Sequence, residues 1–170
     1  MSQEPVLKPI SFDAGASLTC AFAQCQLPTR EEFDCVVIAF AGLPHYYFMP
    51  AMIGAAIAAW KPDALILDLR KLEYDSGDEM GQVLAGVMGK RFQAAVVASE
   101  LNRQGLTSLF RDELLSDPKE WLFDTLADAL SAVDRKFFAA HPGLLEELRE
   151  KERRMAEYEA KKRAGERPAT

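Results

Sequence analysis

The stretch Ala64–Leu84, ALILDLRKLEYDSGDEMGQVL, decides the fold of this chain. Its first six residues are a short apolar run of the kind that forms a strand buried on both faces of a parallel sheet. A polar corner follows at Asp75-Ser76-Gly77-Asp78. Beyond it, Met80, Val83, Leu84, Val87 and Met88 recur at the spacing of one apolar helix face. The pattern is therefore a buried strand, a Ser/Gly/Asp turn and a helix. In open α/β sheets, corners at the carboxyl ends of strands are where ligands and partners are met.

Working outward, Ala16 to Leu27 alternates as a half-buried strand, and Phe33 to Ala41 is an apolar strand rich in β-branched residues and bounded by Gly42. The short turn between them predicts an antiparallel hairpin. A Pro-bounded aromatic loop, Pro44-His45-Tyr46-Tyr47-Phe48-Met49, leads to a helix over Ala51–Trp60, with Pro50 as its first residue. Helix followed by the Ala64 strand implies a right-handed parallel crossover.

Downstream, Ala94–Ala98 reads as a buried strand, Ser99–Gly105 as a polar loop and Leu106–Leu115 as a short helix. Trp121–Phe123 reads as a short strand. A further helix is capped by Asp124 or Thr125, with Asp128 in a capping-box-like position. Residues 1–13, with Pro5 and Pro9, read as a lead-in. The expected fold class is α/β: a mixed sheet of about five strands, mostly parallel with an N-terminal antiparallel hairpin, packed with helices. The expected division is an α/β domain over 1–142 and a charged helical tail, partly frayed, over 143–170. In that tail Glu147–Lys151, Glu150–Arg154, Glu157–Lys161 and Glu159–Arg163 form i, i+4 pairs in the favourable order.

Composition narrows the function. The 170 residues are 49% apolar, enough for one ordinary core, and carry a net charge of −6. The tail is nearly neutral, so the acidity lies in the body, which argues against a nucleic-acid partner. The longest apolar run, Met49–Trp60, is too short to span a bilayer, and no basic-then-apolar leader is visible. A cytoplasmic protein is expected. Cys20 and Cys25 are five apart, roughly 17 Å along a strand, too far to bridge. With no C-x-x-C pair and no nearby His, no metal and no cofactor are expected, and the thiols read as reduced and buried.

The order of elements, Ile66-Leu67-Asp68-Leu69 followed by Leu72 and Tyr74, the Asp-Ser-Gly corner, and the ending Leu122–Leu130 together resemble a STAS domain, the fold of anti-sigma factor antagonists. The resemblance covers about residues 16–135. In that family the Ser or Thr before the corner glycine is phosphorylated by a partner kinase, which releases or captures the sigma-factor regulator. Matching the motif places Ser76 at the phospho-acceptor. A gapless match from Leu67-Asp68-Leu69 to Met80-Gly81 places Asp78 there instead, and is preferred because it keeps the element lengths intact.

The resemblance implies a non-enzymatic regulatory module that binds another protein, such as a kinase or sigma-factor regulator, and leaves a homodimer open. Asp75, Ser76, Gly77 and Asp78 and the aromatic residues Tyr46, Tyr47 and Phe48 are the expected contact residues. Each also has a plainer reading: Ser76 as a helix cap, Asp78 and Glu79 as partners of the helix dipole, the aromatics as a loop folded over the core. No catalytic set is apparent. A Gly-x-Ser-x-Gly elbow is missing, and His45 has no evident triad partners. Gly81, Gly86 and Gly89 lie within the helix rather than before it, so they do not make a phosphate loop. Close packing is expected to offset their cost. The alternative function is a crotonase-like α/β protein whose strand-end loops hold a small molecule or acyl thioester.

Overall fold

In the computed structural model, which describes residues 8–10, 18–27, 30–74, 76–77, 79–88 and 92–163, the apolar run at Ala64 sits within a six-stranded sheet. The strands are β1 (Lys8–Ile10), β2 (Leu18–Leu27), β3 (Arg30–Gly42), β4 (Ala64–Leu72), β5 (Gln93–Val97) and β6 (Leu122–Phe123), and they lie side by side in chain order. β1–β2 and β2–β3 pair antiparallel, whereas β3–β4, β4–β5 and β5–β6 pair parallel. The expected mixed sheet and antiparallel hairpin are thus present. The sixth strand is the addition: Lys8–Ile10, within the stretch 1–13 read as a lead-in, is a three-residue edge strand, where Pro9 is tolerated.

The helices are α1 (Phe48–Trp60), α2 (Glu79–Met88), α3 (Glu100–Asp112), α4 (Pro118–Trp121), α5 (Leu126–Ala140) and α6 (Pro142–Arg163). One face of the sheet, through Val36, Ile38, Phe40, Leu65, Leu67 and Leu69, packs on α1, α2 and α3 by way of Met49, Ile53, Met80, Leu84, Leu106 and Phe110. The other face, through Cys35, Val37, Ala64, Ile66, Ala95 and Val97, packs on Leu126, Ala129, Leu130 and Val133 of α5. β4 is therefore buried on both sides, which is why it reads as a run rather than an alternation.

Several boundaries move. α1 starts at Phe48, so Pro50 is its third residue, still within the first turn where no N–H is required. Met49 is consequently core, not loop. Ser99–Gly105 is not a loop: it carries the start of α3. Trp121 ends α4 and only Leu122–Phe123 join the sheet. Thr125 caps α5 as its spacing predicts, accepting from Asp128 N at 3.1 Å and donating to the Asp128 carboxylate at 2.7 Å.

Two compact units divide the chain, residues 1–134 and residues 135–170. Within the second, Phe137 stacks on His141 with ring centres 4.4 Å apart, and α6 carries an Arg153–Glu150 ion pair at 2.8 Å. Met155 and Tyr158 on α6 are about half exposed.

Candidate functional site

The carboxyl end of β4 is held by an unusual set of polar contacts. Between β3 and β4 the register slips, Ala39 pairing Asp68 but Ala41 pairing Lys71, so β4 carries an extra residue there. Beside this bulge, α3 supplies donors to the β4 carbonyls. The buried Asn102 amide donates to Leu69 O and, at 2.9 Å, to Leu72 O, while Ser99 Oγ donates to Arg70 O at 2.8 Å. Asn102 Oδ1 in turn accepts from Ser99 N at 3.2 Å, closing the start of α3. Asp68, only 6% exposed, is neutralised by a two-pronged ion pair with Arg70, at 2.9 and 2.7 Å. These residues fasten the strand end; Ser99 and Asn102 are structural fasteners.

Past Leu72 the chain turns. Glu73 N donates to Gly42 O, and the buried Tyr74 sends its hydroxyl to Gly77 O at 3.0 Å. Gly77 has φ +129°, a conformation that favours glycine over any side chain. Ser76, just before it, is exposed. α2 begins only at Glu79, so Ser76 does not stand immediately before the helix and the plain reading of it as the helix cap fails. Asp75 and Asp78 lie outside the described residues.

The aromatic loop meets this corner. A Cβ placed on Gly77 would stand 3.7 Å from the Tyr46 hydroxyl and 3.6 Å from a Glu79 carboxylate oxygen. Burial, and then the Glu79 charge, push the Tyr46 phenol above its ordinary value. Tyr46 and Phe48 are half-buried and pack against the core, whereas Tyr47 is 88% exposed. Tyr46 and Phe48 thus fit the reading of a loop folded over the core, and Tyr47 does not. His45 is occupied structurally, its Nδ1 accepting from Phe48 N at 3.2 Å.

Beside the corner lies a polar depression of about 310 Å³ in which Ser76, Gly77 and Tyr74 face Gln104, Ser108 and Asp112 of α3. Gln104, Ser108 and Asp112 carry no signal in the sequence that marks them as site residues. For α3 itself the one available signal was the Ser99-x-x-Asn102 spacing, a cap followed three residues later by a side chain able to reach back. A second, more apolar groove of about 410 Å³ runs between α1 and α2, past Ile53, Ile57, Val83 and Gly86. Among the described residues no group of His, Cys, Asp and Glu is placed to hold a metal ion, and no helix is long and apolar enough to cross a membrane.

A mixed sheet with helices on both faces, and a strand-to-helix corner presented at one end, define a STAS-type α/β fold. The chain is similar to an anti-sigma factor antagonist of Mycobacterium paratuberculosis, whose crystal structure aligns with a TM-score of 0.51. The two are 26% identical over an alignment covering 74% of this chain and 99% of that one. The resemblance read from the Asp68 strand and the Asp-Ser-Gly corner is therefore met by a solved structure. No protein-family model matches the chain, and no curated protein does either.

Proposed function

We propose that this protein is a non-enzymatic, cytoplasmic regulatory module that binds a protein partner through the corner at residues 75–79 and the adjoining Tyr46-Tyr47-Phe48 segment. One observation carries the reading. Two stretches thirty residues apart in sequence, each singled out as a contact segment, converge where Tyr46 closes over Gly77 and Glu79. Similarity to an anti-sigma factor antagonist supports a partner of the sigma-factor-regulator or kinase class. Tyr47 offers an exposed aromatic face and Ser76 an exposed hydroxyl, the mixture of rigid apolar area and polar rim that protein interfaces favour.

The corner acts as a fixed charge rather than a phosphorylation switch. A phosphate on Ser76 would add nearly two negative charges beside Glu79 and the acidic residues 75 and 78. Asp78 takes the acceptor's place in the gapless register, so Asp78→Ser weakens or redirects binding. Intact-mass measurement of protein purified from its own cells should give a single unphosphorylated species. A dominant species heavier by one phosphate, mapped to Ser76, would restore the switch and end the fixed-charge reading.

A further inference from the structure

Cys20, Cys25 and Cys35 are all free thiols, and two of them stand directly opposite each other. In the antiparallel β2–β3 ladder Cys25 is the register partner of Cys35, while Cys20 pairs Phe40. Cys25 and Cys35 also share a face: both belong to the cluster under α5, whereas Cys20 belongs to the cluster on the opposite side of the sheet. Directly opposed residues in such a ladder have Cα atoms about 4.5 or 5.5 Å apart, according to their place in the hydrogen-bond alternation. Either spacing falls inside the roughly 4.4–6.8 Å that a disulfide spans. The Cys25 thiol already leans across to its partner residue, Sγ donating to the Cys35 backbone carbonyl at 3.6 Å.

We propose that Cys25 and Cys35 are a redox pair, and that mild oxidation by a peroxide closes a cross-strand disulfide between them. Access sets the order of events. Cys35 is 0% exposed, whereas Cys25 is partly exposed and is the thiol an oxidant reaches. The hydrogen bond between the two thiols holds Cys25 below the ordinary thiol range and, with burial, holds Cys35 above it. The Cys25 sulfur attacks hydrogen peroxide, breaking the O–O bond; Cys25 becomes a sulfenic acid and the departing oxygen takes the thiol proton to leave as water. Cys35 sulfur then displaces the sulfenic hydroxyl, which leaves as a second water with the Cys35 proton. Two thiols and one peroxide give one disulfide and two waters.

The bond would tie β2 to β3 at the end of the sheet where Cys35 pairs Ala64, the start of β4. The Ser76 corner follows the far end of β4, roughly 26 Å away at about 3.3 Å per residue. Oxidation therefore locks the hairpin without blocking the corner. Where thiols are kept reduced, such a pair forms transiently and reports oxidants.

The full chain, folded and reduced, is exposed to a modest excess of hydrogen peroxide, quenched, denatured and alkylated with N-ethylmaleimide. The expected product is monomeric, has one alkylatable thiol, yields a Cys25–Cys35 cross-linked peptide and reverts with dithiothreitol. Its Tm lies above that of the reduced protein, and Cys20→Ala behaves in the same way. Three alkylatable thiols, a sulfinic acid on Cys25 beside a reduced Cys35, or a disulfide to Cys20 or between chains would each overturn the assignment.

Discussion

At the scale of single residues, the fold depends on a few polar side chains placed where the ladder is interrupted. Asn102 is 1% exposed and holds two β4 carbonyls with one amide. Replacing it by Ala removes the amide from Leu69 O and from Leu72 O, which keeps Tyr74 N, and takes away the acceptor of Ser99 N. The expected loss is about 2–3 kcal/mol in urea unfolding, several times the effect of an exposed Asn→Ala change. The aromatic segment allows the proposed binding role to be tested apart from folding. Tyr47→Ser, at a side chain 88% exposed, leaves the unfolding midpoint where it was and removes partner capture. Tyr46→Ser, at a half-buried ring packed on the core, costs roughly 2 kcal/mol, about half of what a fully buried aromatic would. Neither distinction was legible beforehand, because three adjacent aromatics carry no periodicity to say which of them turns inward. The Asp68–Arg70 pair was equally silent: an acidic residue inside an apolar run does not announce its partner two positions on.

At the scale of elements, periodicity located every strand but β1 and found the α2 face, while turn chemistry placed element ends only to within a few residues. The beginning of α3 escaped because Ser99–Gly105 is polar and ends in glycine, so composition outweighed the cap spacing. The α2 glycines were read as sites of close packing. Gly81 fits that account, since an added Cβ would meet the Glu113 carboxylate at 2.5 Å and Leu109 at 3.5 Å. Gly86 does not: it is exposed and has nothing within 4 Å of an added Cβ, and Gly89 lies outside the described residues. Gly86→Ala should accordingly stabilise the protein by about 0.5–1 kcal/mol, measured by chemical denaturation.

The thiol of Cys20 gives β2 an alkaline signature. Burial raises it from the ordinary 9.0 to about 12, so the folded chain keeps a proton that the unfolded chain releases. Its contribution is complete below pH 9 and is lost as pH rises from about 9 towards about 12. A series of Tm values across that window should fall, and Cys20→Ala should flatten part of the decline.

At the scale of the whole molecule, the mixed sheet and its antiparallel hairpin followed from a handful of apolar runs, whereas the strand order, the side of the sheet each helix covers and the meeting of the two candidate segments emerged only from tertiary contact. The meeting of Tyr46 with Gly77 is set by the β3–α1 turn and the β4 bulge together, and no spacing in the sequence encodes it. Residues 144–170 stand apart in composition. α6 bears few apolar side chains, with Met155 and Tyr158 about half exposed. Deleting 144–170 should therefore lower the Tm only slightly and leave a monodisperse protein by light scattering; aggregation would mean that the helix covers core surface.

The central claim is that the corner and the aromatic segment form one partner-binding surface. Hydrogen exchange read by mass spectrometry, on the chain alone and in the complex it forms when captured from its own lysate, tests this most directly. The account predicts slowed exchange confined to peptides spanning residues 44–49 and 73–82, and loss of that protection together with the complex in Tyr47→Ser. Protection instead along the β1–β2 edge or over α5, with these two segments unchanged, would contradict it.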